Sequence, residues 1–257
     1  MTGLNEKLIL KLKVTCAYLG SVQVFLLMYN RNSSMEKVCI FIDGANFYHI
    51  VLKKLGVQEI DFDFEKFANF LANGRQIIKF GKRFYVGTVR EDANNPRSIE
   101  AMSKQTSLFT RLRSYKWEIK TSKLRRKNER IVIDDRVTDY KNLLKKGIKQ
   151  IEFTRWREKG IDVKLAVDLI VGAIDNQYDT AIIVSSDQDI IPAIDWVKYR
   201  RRKKIEYIGF SIMYKDKYGI EDNTEPSLSM IGHSNIKRIL VASDLNPFIG
   251  PITPKLL

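Results

Sequence analysis

An alternation constrains this chain more than any other feature. Short apolar runs rich in β-branched and aromatic residues occur at Val38–Asp43 (VCIFID), Arg83–Val89 (RFYVGTV), Ala181–Ser185 (AIIVS), Ile205–Phe210 (IEYIGF) and Ile236–Ala242 (IKRILVA). Between them lie stretches with helical periodicity, Asn46–Leu55, Phe64–Ala72, Arg97–Ser114, Asp162–Asn176 and Asp189–Arg200. Strands that alternate with helices in this way specify an α/β fold with a mainly parallel central sheet. Asp63 and Asp162 stand where helix N-caps belong. Val163, Ala166, Val167, Ile170 and Ile174 recur at helical spacing and predict the face that meets the sheet.

With 257 residues the chain can bury a core without covalent staples. Two cysteines, Cys16 and Cys39, and two histidines, His49 and His233, exclude a disulfide framework and a Cys- or His-rich metal centre. The formal charge of +14 favours a polyanionic partner, and it is uneven: Arg111 to Lys159 holds 17 Lys/Arg against 7 Asp/Glu. Residues 1–34 read as an N-terminal extension. Its uncharged stretch Val14–Tyr29 contains Thr15, Ser21 and Gln23 and falls short of the roughly 20 mostly apolar residues that span a bilayer. No membrane partner is expected, and the domain opening at Met35 reads as cytoplasmic. That domain runs over 35–248, with a basic insertion or flap around 120–157 and a tail over 249–257.

The aspartates carry the chemistry. Asp43 closes an apolar strand and precedes Gly44, and Asp187 and Asp189 follow AIIVSS in the same manner. Asp162 opens a helix after Lys159-Gly160, with Asp168 six residues on. Open α/β sheets bind ligands at the carboxyl edge of their strands. Carboxylates gathered there repel one another by about 4 kcal/mol per pair at 4 Å, even at an effective dielectric near 20. A divalent cation removes that penalty, and oxygen-only donors suit Mg²⁺ or Mn²⁺.

FIDGANFYH, EKGIDVKLAVDLI and AIIVSSDQDIIPAI, in this order, resemble the NYN domains, a branch of the PIN-like nucleases, over roughly Met35 to Phe248. The resemblance implies a PIN-like three-layer α/β/α sandwich and metal-dependent endonucleolytic hydrolysis of RNA, leaving a 5′-phosphate and a 3′-hydroxyl. By position, Asp43, Asp162, Asp187 and Asp189 match the metal-holding acidic cluster. Asn46 matches its accompanying polar residue and Asp168 the second acid of the KG-x-D helix. Six residues on a regular helix rotate by about 600°, so Asp162 and Asp168 do not share a face, and Asp168 is expected behind the cluster. Ser186 stands where many relatives have glycine and Ile190 where many have phenylalanine; neither departure removes a carboxylate.

A nuclease must hold a polyanion beside its own acids, which demands positive surface nearby. Lys123, Arg125, Arg126 and Lys127 are the first candidates, with Lys164 one turn into the helix of Asp162. The run Tyr199–Lys204 falls in a helix-to-strand turn at the opposite edge of the sheet and reads as solvated. Trp117 and Trp156 read as core residues in preference to stacking platforms, His49 as packed on its helix and His233 as a loop residue. The implied partner is RNA, single-stranded or structured, with assembly into a homo-oligomer left open. The alternative is a non-catalytic RNA-binding module on the same fold, against which the full set of acids speaks. A small-molecule phosphohydrolase would present DxD on its first strand, where this chain has Asp43-Gly44-Ala45.

Overall fold

The computed structural model describes residues 35–88, 96–123, 125–157, 160–215 and 218–250; the extension over 1–34 and residues 251–257 of the tail lie outside them. Ten strands occur among the described residues: β1 Lys37–Asp43, β2 Gln76–Thr88, β3 Glu118–Lys123, β4 Arg125–Val132, β5 Gln150–Arg157, β6 Thr180–Val184, β7 Lys204–Ser211, β8 Met213–Lys215, β9 Glu221–Asn223 and β10 Ile236–Val241. Six of them form the central sheet in the order β10-β7-β6-β1-β2-β3, and every pairing in it is parallel. The chain winds from β1 outward to β3, then returns to β6 and winds the other way. The order therefore reverses between β1 and β6, which is where a doubly wound sheet opens a crevice beyond its strand ends.

Alternation along β1 divides the interior into two layers. Val38, Ile40 and Ile42 join the core on one face; Cys39 and Phe41 join the core on the other. The first face is covered by α1, which begins at Gly44–Phe47, passes through a π-helical stretch at Tyr48–Leu52 and ends at Lys53–Leu55, by α2 (Phe64–Ala72) and by α3 (Pro96–Ser114). Phe47 lies at the hub of this layer, its ring 5.2–5.9 Å from those of Phe62, Phe64, Phe67 and Phe210. The second face is covered by α5 (Ile161–Ile174), α6 (Ile191–Arg201) and α7 (Leu228–His233). Helices on both faces of a parallel sheet make the three-layer α/β/α sandwich.

Several details depart from the sequence reading. The face of α5 that meets the sheet carries Ile161, Leu165, Leu169 and Ala173, whereas Val163, Val167 and Ile174 are exposed and Ala166 and Ile170 half-buried. This helix carries apolar residues on two opposite faces, so periodicity alone does not select its inward one. Asp63 caps α2, accepting from the Lys66 amide at 3.0 Å. Asp162 does not cap α5: the N-cap is Gly160, at a φ of 83° that favours glycine, and Asp162 lies within the first turn. The polar strand β3 joins the sheet at its edge, and β2 begins seven residues before Arg83. His233 is the last residue of α7, and its Nδ1 lies 2.7 Å from Asp195 Oδ1.

Between β3 and α5 the chain leaves the sandwich. β4 and β5 pair antiparallel as a separate ribbon, with the short helix α4 (Tyr140–Lys145) in the connection between them. The ribbon departs from the carboxyl end of β3 and returns to the start of α5, so it is rooted at the same sheet edge as Asp43.

Candidate metal centre at the sheet switch point

Asp43, Asp162 and Asp187 converge from three elements. One carboxylate oxygen of each lies within 4.8 Å of one from each of the others. Asp43 is the last residue of β1 and only 5 % exposed; Asp187 follows β6, the neighbouring strand. Both stand at the carboxyl edge on the two sides of the switch point. Asp162 comes to the same place from the first turn of α5, whose start is anchored by buried Ile161.

The protein's own groups fix these carboxylates. Asp43 Oδ1 accepts from the Asn46 amide at 3.0 Å, capping α1, and Oδ2 accepts from Ser185 Oγ at 3.2 Å. Ser185 Oγ in turn accepts from the Asp187 amide at 3.1 Å, so one buried hydroxyl bridges two acids. The Asn46 carboxamide accepts from the Ser186 amide at 3.0 Å, which ties the first turn of α1 to the loop after β6. Gly44 lets β1 enter α1 at this point, because a Cβ there would come within 2.5 Å of Phe84 Cζ and 3.1 Å of the Tyr85 carbonyl. Ser186 has no positive φ and finds a partner for its hydroxyl in Tyr207 at 3.2 Å, so the absent glycine costs no backbone strain. Ile190 is buried in the core beside α6.

Burial raises the Asp162 carboxyl above its ordinary range, and the nearby charges of Asp187 and Asp189 push it further in the same direction. Asp189 is exposed and stands outside the group of three, its amide donating to Asp187 Oδ1 at 2.9 Å. Asp168 turns elsewhere. It accepts from the Tyr85 hydroxyl at 2.8 Å and lies 3.7 Å from Lys120 Nζ, tying α5 to β2 and β3. The chemistry of the donors fits a hard divalent ion: three carboxylates close enough to repel one another, with no imidazole or thiolate in the group.

The sequence model of the NYN domain matches residues 37–221, which is most of the chain. This chain belongs to the NYN domain family. The match places it among PIN-like nuclease domains, and it includes all three converging aspartates. No curated protein matches the chain. A crystal structure of a protein of unknown function from Vibrio parahaemolyticus is similar to it over 81% of this chain and 95% of the other, at 17% identity and a TM-score of 0.46.

The remaining sequence candidates in this NYN domain are spread along the ribbon and its root. Lys127 is exposed on β4, while the side chains of Lys123, Arg125, Arg126 and Trp156 lie outside the described residues. Lys164 is exposed on α5, and its Nζ donates to the Thr121 carbonyl at 2.5 Å. Arg130, Arg136, Lys141, Lys145, Lys146 and Lys149 add exposed cations along the ribbon and its connection. Trp117 is a core residue whose indole donates to Glu65 at 3.0 Å. Arg201 lies at the far end of α6, donating to the Ala173 and Ile174 carbonyls that end α5. No helix among the described residues is long and apolar enough to cross a membrane. Ser185 is the site residue that sequence reasoning missed; a serine at a buried strand end carries no signal until the flanking acids are located in space.

Beside α1, a cavity of about 580 Å³ is lined by Tyr48, Lys53, Glu59, Glu100 and Lys104 among others. Burial lifts the Glu59 carboxyl from 4.5 to about 7. The folded state therefore holds this proton more tightly than the unfolded chain. The resulting stabilisation is complete below pH 4.5 and is lost as the pH rises through about 7. Glu59→Gln should leave the melting temperature unchanged at pH 4 and, after allowance for solvent screening, raise stability by about 1–2 kcal/mol at pH 8. Parallel pH dependences of the two proteins in thermal melts would contradict this.

Proposed function

We propose that this chain is a metal-dependent endoribonuclease. The observation that carries the reading is the convergence of Asp43, Asp162 and Asp187 at the switch point of an NYN domain. Asp43, Asp162 and Asp187 would hold Mg²⁺ or Mn²⁺, with Asp189 beside them. Such an ion supplies Lewis acidity, polarising a phosphoryl oxygen and lowering the pKa of water at neutral pH. The protein supplies the rest. Asn46 and Ser185 hold the Asp43 and Asp187 segments in register, so little reorganisation is needed when substrate arrives. Asp168 is a positioning residue: through Tyr85 and Lys120 it fixes α5, and with it Asp162. The basic ribbon, rooted at the same edge, offsets the repulsion between the acids and the RNA backbone.

The test is digestion of labelled single-stranded and hairpin RNAs by the full chain with Mn²⁺ or Mg²⁺. Internal cleavage to 5′-phosphate products, abolished by EDTA, is the expected result. Cleavage indifferent to EDTA, or none with either metal, would overturn the proposal. Changing Lys123, Arg125, Arg126 and Lys127 together to alanine should weaken RNA binding and reduce the slope of log K against log salt by up to about 3. An unchanged slope in filter binding would remove this segment from the substrate path.

A further inference from the structure

The outer face of α5 has no cover among the described residues. Val163, Val167, Val171 and Ile174 are 64%, 49%, 43% and 47% exposed, although the opposite face of the same helix is fully packed on the sheet. A helix with apolar residues on both its inner and its outer face belongs between two layers, and the described residues supply only the inner one. We propose that the second layer is another copy of this chain, with α5 packed antiparallel on α5.

The charges at the ends of the stripe select this occupant. Lys164 stands at one end and Asp175 at the other, both exposed. They are eleven residues apart, about 1,100° of helical rotation, and so lie within about 20° of one another on a single flank. A two-fold axis perpendicular to the helix sets each flank against the same flank of the other copy with the direction reversed. Aligned midway between Leu169 and Ile170, the two helices place Lys164 of each copy opposite Asp175 of the other and bring Val167 within one residue's rise of Val171. A parallel two-fold pairing would instead set this flank against the opposite flank of the other copy, where Ala166 and Ile170 offer no charge. The lysine has three donors, of which the Thr121 carbonyl takes one. The stripe then forms the apolar centre of the interface and the two ion pairs its rim. The mean separation of the two metal centres along the paired helices would be about 20 Å, since Asp162 lies seven residues from the alignment point.

The experiment is analytical ultracentrifugation of the full chain, with a monomer mass of 29.8 kDa. The wild type should sediment as a dimer. Val167→Asp with Val171→Asp should weaken the dimer by at least about 100-fold, because two charges per copy would be buried without partners. Both positions are exposed, so the variant should keep the wild type's circular dichroism spectrum and a cooperative melt, lowered only by the stabilisation that association supplies, which separates loss of association from loss of fold. Lys164→Asp should weaken the dimer about threefold to tenfold, and adding Asp175→Lys should restore it. A wild type that stays monomeric up to about 100 μM overturns the proposal. So does a dimer that survives the Val167→Asp/Val171→Asp change, and so does a reversed pair that fails to restore association.

Discussion

Asp43→Asn and Asp187→Asn should each reduce metal-dependent RNA cleavage by at least about 100-fold, since the carboxylates together support several kcal/mol of charge stabilisation and each 1.4 kcal/mol is tenfold in rate. The fold should survive both changes. Asparagine at position 43 keeps an oxygen for the Asn46 amide and offers Ser185 a donor in place of an acceptor. Without metal, each substitution relieves repulsion within the acidic group, so melting temperatures should be equal to or above that of the wild type. What should disappear is the rise in melting temperature on adding Mn²⁺, because stabilisation by a ligand follows its affinity for the folded state. Two measurements therefore bear on one claim, and wild-type cleavage by both variants would end it.

The largest effect on stability is expected at Phe47. Its ring touches four other buried rings, so Phe47→Ala removes the centre of one core layer and should cost about 3–5 kcal/mol. Urea unfolding measures this directly, with exposed Tyr199→Ala as a control expected to fall within about 0.5 kcal/mol of the wild type. Because Asn46 is the neighbouring residue, the same variant should lose cleavage activity well before its unfolding midpoint. A loss of stability below about 1 kcal/mol would mean that the cluster repacks around the gap.

The main strands were legible because a strand buried on both faces must be apolar nearly throughout, as in KVCIFID and TAIIV. The same rule explains what was missed. β3 reads EIKTSK because it is an edge strand, and β4 and β5 form a separate ribbon that adds nothing to either core layer among the described residues, so no run of apolar residues marks them. The direction of α5 was misread for the opposite reason, an excess of apolar residues. Asp43, Asp162 and Asp187 were legible one by one from strand ends and a helix start, yet their shared position depends on β1 and β6 being neighbours. That Asp162 joins the acidic group while Asp168 turns to Tyr85 and Lys120 depends on contacts that no local pattern reveals.

Among the described residues, the ribbon between β3 and α5 contributes to neither core layer, while both of its ends are fastened at the edge where the acids meet. Its length and sequence are thus free to drift without weakening the sandwich. A relative could exchange this arm, or a designer could graft another, and so change what is presented beside the same three acids.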